Sequence, residues 1–183
     1  FSIEKLDSTY RIFMLGGSTM FGHGATSDKT TIPGYLQEFF QDDFEEYDIQ
    51  VINSGIQGAD SFDELNLIKT RLLDFSPNMI VIYDGWNDLR ENNSPDVIYN
   101  NWNSMCELGK ENGVGVMVIL QPIAGFSNKP LTEQEMEYAK NGKDYDNNLL
   151  INSYEKYEEY AKNLEKLDVC KTSLNLTNVF DEE

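Results

Sequence analysis

The sequence is poor in the residues from which most metal and redox sites are built. One histidine, His23, and two cysteines, Cys106 and Cys170, stand among 183 residues. A single imidazole and two distant thiols offer no ligand spacing, so neither a metal nor a cofactor is expected. The cysteines are also too few for a disulfide framework and read as buried thiols, with pairing left to geometry. Positive charge is scarce as well: 14 Lys and Arg face 32 Asp and Glu, for a net charge of -18. That balance argues against nucleic acid, which needs clustered cations, and against an anionic membrane surface. It reads instead as a solvated, self-repelling skin. Long hydrophobic runs are missing too. No stretch approaches the roughly 18 to 20 apolar residues that cross a bilayer, and no signal peptide opens the chain. The sequence begins at Phe1 without a methionine, so removal of an upstream signal or anchor stays open. The expectation is a soluble domain, extracytoplasmic if such a segment was lost, of open oligomeric state.

What is present is an alternation of short apolar runs and amphipathic stretches. With 40% hydrophobic residues, the chain is long enough to bury one core, and it shows neither repeats nor low-complexity segments. Strands are expected at Tyr10 to Leu15, Tyr47 to Ile52, Met79 to Tyr83 and Val114 to Leu120, with a fifth starting near Thr172. The run MIVIY at Met79 to Tyr83 is continuously apolar and reads as the central strand of a parallel sheet. Helices are expected from Pro33 to about Phe44, from Asp60 or Ser61 to before Pro77, and from Pro95 to Asn112. A short acidic helix from Thr132 and a longer one over Asn147 to Leu167 follow. Glu64 is placed as a capping-box partner for Ser61. Strands alternating with helices of this length predict a three-layer α/β/α sandwich with a mostly parallel sheet.

Three strand ends carry chemistry. The first strand stops at Gly16-Gly17 and delivers Ser18 into a turn, where no side chain blocks the hydroxyl. This is how an open α/β sheet presents a nucleophile, although a strand followed by Gly-Gly-Ser-Thr is also an ordinary helix start. The second leads into Asn53-Ser54-Gly55-Ile56-Gln57-Gly58, and the third into Asp84-Gly85-Trp86-Asn87-Asp88. Taken singly, Gly58 is equally a turn glycine and Asn87-Asp88 equally a helix cap. Asp88 reads as a structural acceptor holding its turn, and Trp86 as either a pocket wall or a packed aromatic.

The three blocks together resemble the SGNH hydrolases, the GDSL esterase and lipase family. Gly16-Gly17-Ser18 stands for the first block, Asn53 to Gly58 for an N-x-G-x-x-G turn, and Gly85-Trp86-Asn87-Asp88 matches G-x-N-D in full. The resemblance implies a single flavodoxin-like domain over 1–183 that hydrolyses a carboxylic ester through an acyl-enzyme on Ser18. It implies the backbone N–H groups of Ser18 and Gly58 and the side-chain amide of Asn87 as oxyanion donors. Substrates would be small-molecule, glycan or lipid esters. The family's D-x-x-H block, which supplies the base and its orienting acid, has no match here. His23, five residues after Ser18, reads as a loop histidine, and Asp181 has no histidine three residues on. The block is therefore expected beyond Glu183, in a chain truncated at its C-terminus. A non-catalytic carbohydrate- or lipid-binding relative and an acyltransferase using the same serine remain the alternatives.

Overall fold

In the computed structural model, which describes residues 4–141 and 153–181, the first strand is β1, Thr9–Gly16. Its buried side chains divide between two faces, Ile12 and Met14 on one and Phe13 and Leu15 on the other. That is the period of two that a pleated strand imposes. After the single turn α1 (Ser18–Phe21) come α2 (Ile32–Asp43), β2 (Asp48–Asn53), α3 (Ser61–Thr70) and β3 (Met79–Asp84). Then follow α4 (Trp86–Arg90), α5 (Pro95–Glu111), β4 (Gly115–Leu120), α6 (Glu133–Asn141), α7 (Tyr154–Leu164) and β5 (Thr172–Asn175). The five strands are all parallel, in the order β2-β1-β3-β4-β5. β3 lies at the centre, where a strand covered on both faces needs an unbroken apolar run.

Helices α3, α5 and α7 pack on the face carrying Phe13, Leu15, Ile80, Ile82, Val116 and Val118. Trp102 of α5 and Tyr157 and Tyr160 of α7 are fully buried there. Met20 of α1 and Leu36 and Phe40 of α2 cover the opposite face at Ile12, Met14 and Val81. The result is the expected three-layer sandwich. Helix α2 also protects the exposed edge of the sheet: the Gln37 side chain donates to Ile49 O (3.0 Å) and accepts from Val51 N (2.7 Å). An amide in that position occupies the backbone groups through which β2 could pair with another strand.

Two expectations are corrected. Cys106 of α5 and Cys170 form a disulfide, with Cα atoms 4.8 Å apart. The packing of α5 beside the approach to β5 brings together thiols that the sequence holds far apart. The capping box of Ser61 with Glu64 does not form either. Asp60 is the N-cap, its Oδ1 accepting from Phe62 N (3.0 Å) and Asp63 N (3.1 Å). Ser61 becomes the first helical residue, its hydroxyl turned inward, and Glu64 lies buried. A capping box does form at α6, where Thr132 and Glu135 exchange hydrogen bonds. Of the helix expected over Asn147 to Leu167, the first residues lie outside the described residues. β5 stops at Asn175 because the Asn175 side chain accepts from Thr177 N (3.0 Å) and turns the chain.

Candidate active site

The carboxyl ends of β2, β1 and β3 are neighbours in the sheet, so the three blocks that follow them converge. Ile56 N donates to Gly16 O (2.9 Å), bringing the second block over the end of β1. Asn53 fixes it further, its Oδ1 accepting from Gly55 N (3.0 Å) and its Nδ2 donating to Phe21 O (3.2 Å) of α1. Asn87, on α4 and almost fully buried, donates through Nδ2 to Ala59 O at 2.6 Å. A β-carbon on Gly17 would fall 2.2 Å from that same nitrogen. Gly17 is thus a position where only glycine lets the turn into Ser18 and the Asn87 amide come together. One amide nitrogen touches the residue before Ser18 and bonds the residue after Gly58.

Ser18 is half-buried, and as the first residue of α1 its N–H has no partner within the helix. Among the described residues nothing is hydrogen-bonded to its Oγ. Gly58 has φ +80° and open space around it, with nothing within 4 Å of a β-carbon built there. That backbone conformation suits glycine, and the residue is exposed. The Asn87 amide carries two hydrogens, of which the Ala59 carbonyl takes one. The other is left without a hydrogen-bond partner among the described residues.

His23 is exposed in the turn after α1, where its main-chain N–H donates to Ser18 O (2.9 Å). Trp86 is half-buried beside Tyr138 of α6, with ring centres 6.3 Å apart, and the Arg90 guanidinium lies over its face. Trp86 and Tyr138 line a hollow of about 190 Å³ together with Thr19 and Gln121. Thr19 places that hollow next to Ser18. A larger hollow, about 550 Å³, lies away from Ser18 between α2 and β2.

Behind the donors lies a buried group of acids. Asp88 accepts from Ser61 Oγ (2.6 Å), Ser61 N (2.9 Å) and Asn93 Nδ2 (2.9 Å), so it ties α4 to the start of α3 rather than only holding its own turn. Asp84 accepts from Gly85 N (2.7 Å) and Trp102 Nε1 (3.0 Å). Burial raises the proton affinity of both, with Asp88 adding to the effect at Asp84. Glu64 completes the group with neither carboxyl oxygen hydrogen-bonded. Burial raises it most, and Asp84 and Asp88 raise it further. The sequence reading missed this group and the Ala59 acceptor. The signal was there at Glu64, which shares the helical stripe of Ser61, Leu65 and Ile68 and so points inward.

The profile of the GDSL-like lipase/acylhydrolase family matches residues 14–155. Comparison with curated protein sequences finds no match. Among solved structures, the chain is similar to a catalytic mutant of Axe2, an acetylxylan esterase from Geobacillus stearothermophilus. The TM-score is 0.71 at 16% identity, over 98% of this chain and 81% of that one. It is also similar to the psychrotrophic esterase EstA from Pseudoalteromonas sp., with TM-score 0.60 at 17% identity, over 92% and 77%. A third is AlinE4, an SGNH-hydrolase family esterase, with TM-score 0.59 at 17% identity, over 92% and 77%. At these identities the likeness is one of fold. The profile spans most of the sequence and includes all three strand ends, and the chain belongs to the GDSL-like lipase/acylhydrolase family.

Proposed function

We propose that the protein hydrolyses a carboxylic ester, with Ser18 as nucleophile. Ser18 Oγ attacks the ester carbonyl and the alcohol leaves, giving an acyl-enzyme that water then cleaves. The oxyanion formed in each step is met by the N–H of Ser18, the N–H of Gly58 and the free amide hydrogen of Asn87. Donors of this kind act on charge that appears only in the transition state, and being neutral they do not trap the carboxylate product. The observation that carries the reading is the Asn87 amide, which touches Gly17 and bonds Ala59 and so joins the three blocks at one point. The proton acceptor is the part of this machinery that the described residues leave unassigned.

Trp86 walls the hollow beside Thr19, on the side where one portion of the ester would lie. At about 190 Å³ it is smaller than the roughly 300 to 1,000 Å³ of sites for drug-sized ligands, so it suits a small group or one ring. An acylated sugar and a short-chain ester both meet that limit.

The test is turnover of short-chain nitrophenyl esters by the full natural chain and its Ser18→Ala variant. Loss of activity by roughly 1000-fold or more in the variant supports the reading, and equal turnover by the two proteins contradicts it. Product analysis with a competing alcohol then distinguishes hydrolysis from acyl transfer.

A further inference from the structure

Glu64 is the one acid of the buried group to which the fold offers no hydrogen bond. It is 2% exposed, and neither carboxyl oxygen has a partner. Asp88 accepts three hydrogen bonds and Asp84 two, all from N–H or O–H donors that favour an ionised acceptor. Among the described residues, the largest charge effects on Glu64 all come from acids. Asp84 of β3, Asp88 of α4 and Asp60 and Asp63 at the start of α3 all act on it with the same sign. α5 contributes the neutral Trp102 and Asn101, bonded to Asp84 and Ser61. α7 contributes the phenols of Tyr157 and Tyr160, which donate to Gln121 O and Asn93 O. The cation on α4, Arg90, lies over Trp86. Among the described residues these acids are not arranged to hold a metal ion. An ionised Glu64 would be a buried charge with no hydrogen bond to support it, set among other acids that oppose it. Both the missing hydrogen bonds and the neighbouring acids favour the neutral, protonated form of Glu64.

The location gives that proton a consequence for the site. Glu64 lies one helical turn past Ser61 on the buried face of α3. The seam between α3 and α4 is built from Asn87 to Ala59, Ser61 to Asp88, and Asn93 to both Asp60 and Asp88. The same seam sets the Asn87 amide against Gly17. We propose that Glu64 is a positioning residue whose neutral carboxylic acid lets α3 and α4 close on each other, and that its ionisation pushes this seam apart and displaces the Asn87 amide. This rests on the ester-hydrolase reading only for its effect on catalysis.

An acid that binds its proton more tightly in the folded chain than the ordinary 4.5 makes the fold lose stability as pH rises above that value. The loss continues until the folded-state group itself ionises. Glutamine keeps the shape of the neutral acid and has no proton to lose. The first experiment records carboxyl carbon shifts of the natural chain with isotope-labelled glutamate, which needs no variant. One glutamate that keeps its protonated shift at about pH 7 supports the proposal, and complete ionisation overturns it. The second compares Glu64→Gln with wild type in chemical denaturation between about pH 5 and about pH 9. Wild type is expected to lose stability across that range relative to the variant, and parallel curves overturn the proposal.

The catalytic effect is read from the rate of fluorophosphonate labelling at Ser18. The ratio of the Glu64→Gln rate to the wild-type rate is expected to rise about tenfold between about pH 6 and about pH 9, as the wild-type seam opens. A constant ratio overturns the positioning role. If neither protein is labelled at any pH, the ester-hydrolase reading fails, while the carbon shifts and denaturation curves still decide whether Glu64 is neutral and holds the seam.

Discussion

The side-chain nitrogen of Asn87 lies 2.6 Å from the carbonyl oxygen of Ala59 and donates a hydrogen bond to it. The two residues are 28 positions apart in sequence, and the bond fixes the direction of the amide's second hydrogen. With one hydrogen anchored, the other points where the joint between α4 and the start of α3 aims it. That is the preorganisation an oxyanion donor needs, since little remains to reorient when charge develops.

Removing the amide with Asn87→Ala is therefore expected to lower kcat by roughly 100- to 1000-fold while leaving KM nearly unchanged, as for loss of a donor used only in the transition state. Gly17→Ala should act through the same amide, because its β-carbon would sit 2.2 Å from Asn87 Nδ2. Steady-state kinetics on a nitrophenyl ester checks both. Wild-type kcat in either variant would show that the amide plays no part.

Asp88 is expected to matter for stability more than its place in G-x-N-D suggests. Asp88→Asn turns an acceptor of three hydrogen bonds into a group with its own N–H donors facing Ser61 and Asn93. Leaving buried donors unsatisfied costs about 1 to 3 kcal/mol each, partly offset here by removing a charge beside Asp84, so a net loss of about 2 kcal/mol is expected. Denaturant midpoints at one fixed pH measure it.

The disulfide between Cys106 and Cys170 closes a loop with a sequence separation of 64. In the chain-entropy account such a link stabilises by up to about 4 kcal/mol, mainly by restricting the unfolded chain. Cys106→Ala with Cys170→Ala should thus lower the melting temperature without changing the rate at which Ser18 reacts. A disulfide of this kind persists where the surroundings are oxidising. Alkylation of the unreduced protein followed by peptide mass analysis is expected to leave Cys106 and Cys170 unmodified.

Glu135 provides a pH signature far from the acid cluster. Hydrogen bonding to the Lys129 ammonium, then to the N–H and hydroxyl of Thr132, brings its carboxyl down to about 2. For a lowered acid the sign is opposite to that of Glu64. The contact is present above the ordinary 4.5 and is lost as pH falls toward about 2. The carboxyl shift of Glu135 should follow that course, and its midpoint should move up toward the ordinary range in Lys129→Ala, where the Thr132 hydrogen bonds remain.

The sheet and the convergence of the blocks were legible because they depend on local patterns. The MIVIY run identified the central strand, and each block follows a strand that parallel pairing puts beside the next. Pro33 and Pro95 marked the first turns of α2 and α5, where a missing N–H costs nothing. What stayed hidden depends on contacts between distant residues. The Cys106–Cys170 bond needs α5 to lie beside the approach to β5. The Asp88–Ser61 bond needs α3 to start beside α4, and that bond removes Ser61 from the cap in which local spacing had placed it with Glu64. Tyr138 gave no sign in the sequence that it would meet Trp86, because nothing in an acidic helix indicates which strand end it will cover.

The central claim is that Ser18 is an activated nucleophile, and intact-mass measurement of the full natural chain after exposure to a fluorophosphonate tests it most directly. One adduct is expected on the wild-type protein and none on Ser18→Ala. Wild-type protein that folds and takes up no adduct, or a Ser18→Ala variant labelled as readily as wild type, would contradict it.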